Sequence, residues 1–210
     1  NNINIMFDIL EVLRNGNSES YHTEKLSNGV RVYFGSSNYF LPGGDYTYTF
    51  KYKTDLQLGY FDKYDELYWN VTGVGWDFLI EKVTATINLP APVSRDDLKL
   101  TGYTGFGGFK GSDYKSEIIN SRKVRFISTV AFNPKEGLTI VVQWPNGLVY
   151  EPNQSDKIRY FIQDNLQIVF GIIGVIALIV YYLIIWWRVG KDPSKGLIIP
   201  LYEPPPNMSP

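Results

Sequence analysis

Residues Leu166 to Trp187 form an unbroken run of 22 positions without a charge, carrying one amide at Gln167. At about 1.5 Å rise per residue, a helix of this length covers roughly 33 Å, enough to cross the hydrocarbon core of a bilayer. A helix packed on a soluble core keeps a polar face toward water, whereas this one is apolar all round. Tyr181, Tyr182, Trp186 and Trp187 gather at its C-terminal end, with Arg188 just beyond. Such rings settle in the headgroup layer because each joins an apolar body to a polar edge, and a cation beyond them finds water and phosphate. The run reads as a membrane span with these five residues at the interface, so the lipid bilayer is its first partner.

Orientation follows from flanking charge. Arg188, Lys191 and Lys195 follow the span, while Lys157 and Arg159 precede it. Three cations against two predict a cytoplasmic C-terminal side, which leaves the large N-terminal part outside the cell membrane. The chain opens "NNINIMFD", starting neither at a Met nor with a charged-then-apolar leader, as expected of a mature or trimmed form whose export signal is gone.

The chain ahead of the span is near charge balance, with 15 basic and 17 acidic residues before Ser155. Nothing concentrates the positive charge that a phosphate backbone requires, so nucleic acid is not an expected partner. Cys is absent, which removes disulfides, thiolate nucleophiles and thiolate metal sites together.

Short alternating runs dominate this part. Ile3, Ile5, Phe7 and Ile9 share one face of an extended strand, as do Tyr46, Tyr48, Phe50 and Tyr52. The pattern returns at Val30 to Phe34, Val83 to Leu89, Val124 to Val130 and Leu138 to Trp144. Turn chemistry separates the runs: "RNGNSES", "LSNG", "LPGGD", "LPAPVS", "NPKEG" and "WPNG". Strands at this spacing, with no helix between them, predict a mainly β fold: an antiparallel, immunoglobulin-like β-sandwich over residues 1–150. "EPNQSD" opens a linker over 151–165, in which Ser155 and Asp156 suit a helix start and Ile158, Phe161 and Ile162 extend it one to two turns. The span occupies 166–187. Residues 188–210 form an extended Pro-rich tail: Pro193 and Gly196 stop the helix, and Pro204 to Pro206 favour polyproline II.

Three stretches invite a chemical reading. "TGYTGFGGFKGSD" is rich in Gly, but the dinucleotide pattern from Gly105 meets Lys110 where Gly is needed. A phosphate loop from Gly102 meets Gly108 where Lys is needed. A flexible inter-strand loop is the expectation. "FDKYDELYWNVTG" sets Asp62, Asp65 and Glu66 beside Tyr60, Tyr64, Tyr68 and Trp69. Paired carboxylates could act as acid and base on a glycosidic bond, with these aromatics as a sugar platform and Tyr60 and Trp69 the ring candidates. They could equally hold a ligand or a hard cation, although the spacing is not that of an EF-hand. The plainest reading is a polar turn leading into an aromatic strand. The sole His, His22, lies in polar "ESYHTEK" and suits a solvated strand edge. "NVT" at Asn70 and "NQS" at Asn153 match glycosylation sequons, a frequent chance match. No catalytic constellation, metal site or cofactor is predicted.

Four stretches together resemble the domain-of-unknown-function 2207 family, YciQ-like membrane proteins. They are "DELYWNVTGVGWDFLIEKVTATINLP", "GYTGFGG", "NPKEGLTIVVQWPNG" and "WWRVGKDPSKGLIIPLYEPPPNMSP". The resemblance implies an export signal, an extracytoplasmic β-domain, a span and a cytoplasmic region often continuing through further spans, so that this chain is the front part. Members with Cys in the Gly-rich loop differ from this chain, which has none. The family carries no activity that would give any residue here a role. The expected function is a membrane-anchored binding or interaction module for an envelope protein or glycan. An envelope glycan hydrolase or lyase using Asp62 to Glu66, or a structural subunit of a membrane complex, are the alternatives.

Overall fold

A computed structural model describes residues 5–26, 29–190 and 196. Ile3, Lys191, Pro193, Ser194, Lys195 and the Pro204–Pro206 run lie outside the described residues. The chain divides into two compact units, one of residues 3–153 and one containing the helices from Gln154 onward.

The first unit is built from antiparallel strands. β1 (Phe7–Arg14) lies between β2 (Asn17–Ser18) and β5 (Tyr48–Thr54), and β3 (Tyr21–Leu26) pairs with β4 (Gly29–Phe34) as a separate hairpin. Asn15 and Gly16, both at positive φ, make the two-residue turn that joins β1 to β2, the geometry that an Asn-Gly pair favours. The alternation of Tyr48, Phe50 and Tyr52 becomes an aromatic cluster. Phe50 stacks on Tyr52 at 5.0 Å, and Phe7 and Phe34 approach Tyr52 and Phe50 at 5.1 and 5.2 Å.

The other seven strands form a sandwich. β6 (Leu58–Tyr60), β7 (Asp65–Asn70), β12 (Gly137–Trp144) and β9 (Lys99–Gly105) make one sheet in that spatial order. β10 (Tyr114–Asn120), β11 (Lys123–Ser128) and β8 (Thr84–Asn88) make the other. Four strands plus three is the count of an immunoglobulin constant-type sandwich. Within that frame the fifth and seventh strands have exchanged sheets: β10 stays beside β11, and β12 takes the centre of the larger sheet.

The core lies between the two sheets. β12 turns Leu138, Ile140, Val142 and Trp144 inward, and β11 turns Val124 and Phe126 to meet them, all at 3% exposure or less. Each such side chain contributes about 1.5–3 kcal/mol by leaving water. Loop residues Leu89, Val93, Leu98 and Phe132 close the same cluster. Val130, expected to continue its strand, lies beyond β11 and is 48% exposed.

The Gly-rich stretch departs from expectation. Its first half is β9, an edge strand held along its length by β12. Propensity hid it, because two Gly and two Thr surround the single apolar Leu100 and Tyr103.

In the second unit, α1 (Gln154–Asp164) runs eleven residues, longer than the one to two turns expected. Asp156 in its first turn pairs with Arg159 at 3.1 Å. Asn165, at φ −126° and ψ 34°, interrupts the helix, and α2 (Leu166–Arg188) follows for 23 residues. Its mean hydropathy of 2.9 and lack of any buried residue are those of a helix that can cross a bilayer. Tyr181, Tyr182, Trp186 and Trp187 are all more than half exposed at its end.

Candidate functional site

The acidic stretch resolves into a turn and a strand. Residues 61–64 form the turn, closed by the Phe61 N–H donating to the Tyr64 carbonyl at 3.0 Å and by Asn146 donating to the Phe61 carbonyl at 2.7 Å. Asp62 is exposed there. β7 begins at Asp65, and successive side chains of a strand point to opposite faces. Asp65 therefore turns into the sandwich, at 2% exposure. Glu66 turns outward and accepts a hydrogen bond from Gln143 at 2.7 Å. The three carboxylates face three ways.

The aromatic candidates divide in the same manner. The Tyr60 hydroxyl donates to the Tyr150 carbonyl at 2.9 Å. Trp69 packs against the core and lies 6.5 Å from the Tyr52 ring. Neither is among the residues lining the cleft at the other end of β7. Asp65 stands directly opposite Trp144 across β7 and β12, and neither its Oδ2 nor the Trp144 Nε1 has a hydrogen-bond partner. His22 is exposed on β3 and stacks on Tyr33 at 4.5 Å. Among the described residues, no group of three His, Asp or Glu side chains could hold a metal ion.

A concave site lies at the other end of β7. A cleft of about 480 Å³ opens where the C-terminal ends of β7 and β9 flank the start of β12. Asn70, Thr139 and Tyr103 form one row across the three strands, and Tyr68 lies outward one step along β7. The Thr139 hydroxyl donates to Asn70 Oδ1, and the amide N–H groups of Asn70 meet no acceptor among the described residues. In the "NVT" sequon, Thr72 is already engaged: its Oγ1 accepts from the Leu138 N–H at 3.1 Å.

One wall of the cleft is the turn from Phe106 to Lys110. The Phe109 N–H donates to the Phe106 carbonyl at 2.9 Å, and Thr104 and Gly111 exchange bonds of 3.0 and 2.9 Å beneath it. Buried Thr104 also accepts from the Asp113 N–H at 3.0 Å. Gly105, at φ +110°, lies under the Phe109 ring, where any Cβ would collide. Residues 106–110 are thus the inter-strand loop expected of the second half of the stretch, and these bonds hold its base.

The opposite wall is the segment after β7, which carries Val74. The Trp76 indole donates to the Thr72 carbonyl at 2.7 Å, and Lys135 pairs with Asp77 at 2.6 Å while its N–H donates to the Trp76 carbonyl. Gly137 passes so close to the Gly73 carbonyl that only a residue without Cβ fits. Val74, Phe106 and Phe109 stay 44%, 54% and 65% exposed. Lys110 is the one charged side chain of the lining, and Asp113 Oδ2 accepts from the lining hydroxyl of Thr104 at 3.4 Å.

The sequence sets Tyr68 and Trp69 side by side, and the candidate set kept Trp69 and left out Tyr68, although alternation turns one of two neighbours inward whenever the other faces out. The candidate set also passed over Phe106 and Phe109. Their signal was present in "TGFGGFKG", where two bulky aromatics sit among glycines with no strand periodicity to bury them.

A β-sandwich unit followed by one helix long and apolar enough to cross a bilayer defines a membrane protein carrying a β-domain. The family model described as "Predicted membrane protein (DUF2207) N-terminal domain" matches residues 1–144, and the chain belongs to that family. It is 27% identical over 160 residues to "Uncharacterized protein YciQ" of Escherichia coli (strain K12). The alignment covers 74% of this chain and 24% of that protein, so the chain spans about a quarter of this relative's length. No solved structure matches it.

Proposed function

We propose that this protein is a non-enzymatic, membrane-anchored binding module. Its β-unit lies outside the cell membrane, and the cleft between the 106–110 turn and the segment after β7 engages a component of the cell envelope. The observation that carries this reading is one cleft in which exposed apolar side chains stand beside polar groups on adjoining strands. Val74, Phe106 and Phe109 cost free energy in water and form no part of the sandwich core. The glycan hydrolase or lyase alternative would need Asp62, Asp65 and Glu66 to converge, and they diverge. The excess of cations after the span supports the orientation.

Two experiments test it. The chain has no Cys, so Ser18→Cys and Ser194→Cys can be probed in intact cells with a membrane-impermeant maleimide. Labelling of the first alone is expected, and labelling of the second alone reverses the orientation. In the second experiment, the full chain in lipid nanodiscs is sedimented with isolated cell envelopes. A Phe106→Ser/Phe109→Ser variant should bind at least about fivefold more weakly, as loss of two contact aromatics predicts. Equal sedimentation of variant and wild type would end the reading.

A further inference from the structure

We infer that the ligand of this cleft is a saccharide, and specifically an acidic one. The inference rests on the cleft being a binding site and adds the chemistry of what enters it. A sugar ring presents hydroxyls around its rim and patches of C–H on its faces, so it needs both polar groups and flat apolar surfaces. The cleft supplies both. Its floor offers the Tyr68 and Tyr103 hydroxyls and the Asn70 amide nitrogen, none of which has a protein hydrogen-bond partner among the described residues. Its wall offers the exposed rings of Phe106 and Phe109, held by the bonds at the base of the turn. A turn already fixed before binding loses little entropy when a ligand arrives.

Other occupants fit less well. A lipid tail would meet a floor of hydroxyls and an amide. An extended peptide could add to a sheet edge only through free main-chain groups, and at the cleft the open edge of β9 is taken by the Thr104–Gly111 bridge. A phosphate-rich polymer would need several cations, and Lys110 stands alone. That single ammonium makes no ion pair among the described residues, and no carboxylate is among the residues lining the cleft. It suits one carboxylate on an otherwise neutral ligand, such as a uronic acid within a glycan. A volume of about 480 Å³ accommodates a short run of sugar units.

The test is calorimetric titration of the full chain in lipid nanodiscs with tetragalacturonate, with chitotetraose as the neutral sugar and tetra-aspartate as the acidic peptide. Tetragalacturonate should bind best. Phe106→Ala should weaken both sugars about tenfold, while Lys110→Gln should weaken only the acidic one, and more so at low salt. Both side chains are exposed, so an unchanged thermal unfolding curve separates a lost contact from a lost fold. Absence of sugar binding at millimolar concentration, or binding indifferent to both substitutions, overturns the inference. So does tetra-aspartate binding as well as the sugar through the same residues. In that event the binding module stands, provided envelope sedimentation still depends on Phe106 and Phe109. Should sedimentation be independent of them, the module reading itself has failed.

Discussion

Asp65 is the residue at which local chemistry and burial conflict. A carboxyl group with an unpartnered oxygen in the sandwich interior, opposite an unpartnered indole N–H, carries a desolvation cost that no contact among the described residues offsets. Asp65→Val fills a similar volume with a β-branched side chain and removes the unsatisfied oxygen. It should stabilise the domain by about 1–3 kcal/mol in chemical denaturation. A loss of stability would mean that the carboxyl has a partner, such as a bound water. Tyr52 gives a second prediction. Partial burial holds its phenol above the ordinary value, so the folded state keeps the proton more tightly than the unfolded chain. The resulting stability is complete below about pH 10 and is lost as pH rises from there through the folded value. Tyr52→Phe keeps the ring stacking, and the variant should lose less stability than wild type between pH 8 and pH 10.5.

At the scale of elements, the backbone of the cleft depends on close approach. Gly137 begins β12 against the Gly73 carbonyl, so Gly137→Ala must displace one of the two segments. The cost expected from overpacking is about 1–3 kcal/mol, read as a lower denaturation midpoint, and ligand contacts at Asn70 and Thr139 should weaken with it. Gly16→Ala, at a turn open to solvent, should leave the cleft unaffected. Elements with clear alternation were legible in advance. β12 runs with Leu138, Ile140, Val142 and Trp144 inward, as the period of two requires, and Tyr48, Phe50 and Tyr52 share a face in β5. β9 and β10 were not legible, because their stability comes from the neighbours they pair with: Thr101 and Gly102 are strand residues only beside Val141 and Ile140. α1 outran its expected length for a related reason, since its own sequence lacks a strong stop before Asn165.

For the whole molecule, α2 is the part whose environment differs from the rest. Ile176→Arg places a charge near its middle, where integration is disfavoured by about 3 kcal/mol. The variant should shift from the carbonate-resistant membrane fraction to the soluble one, while the denaturation profile of the β-unit is unchanged. Coupled loss of both would contradict the division of the chain into two units at Asn153.

The span and the β character of the first unit were determined by the sequence alone. Both rest on patterns local in the chain: a helix in lipid satisfies its own backbone and needs only length and apolarity, and a strand announces itself by a period of two. The site was decided by tertiary structure. Tyr68, Tyr103 and Phe109 are up to 41 residues apart in sequence, and only the pairing of β7 and β9 with β12 sets them around one cleft. The same pairing separated the carboxylates that sequence had grouped. Adjacent residues on a strand point to opposite faces, so nearness in the chain keeps Asp65 and Glu66 apart in space.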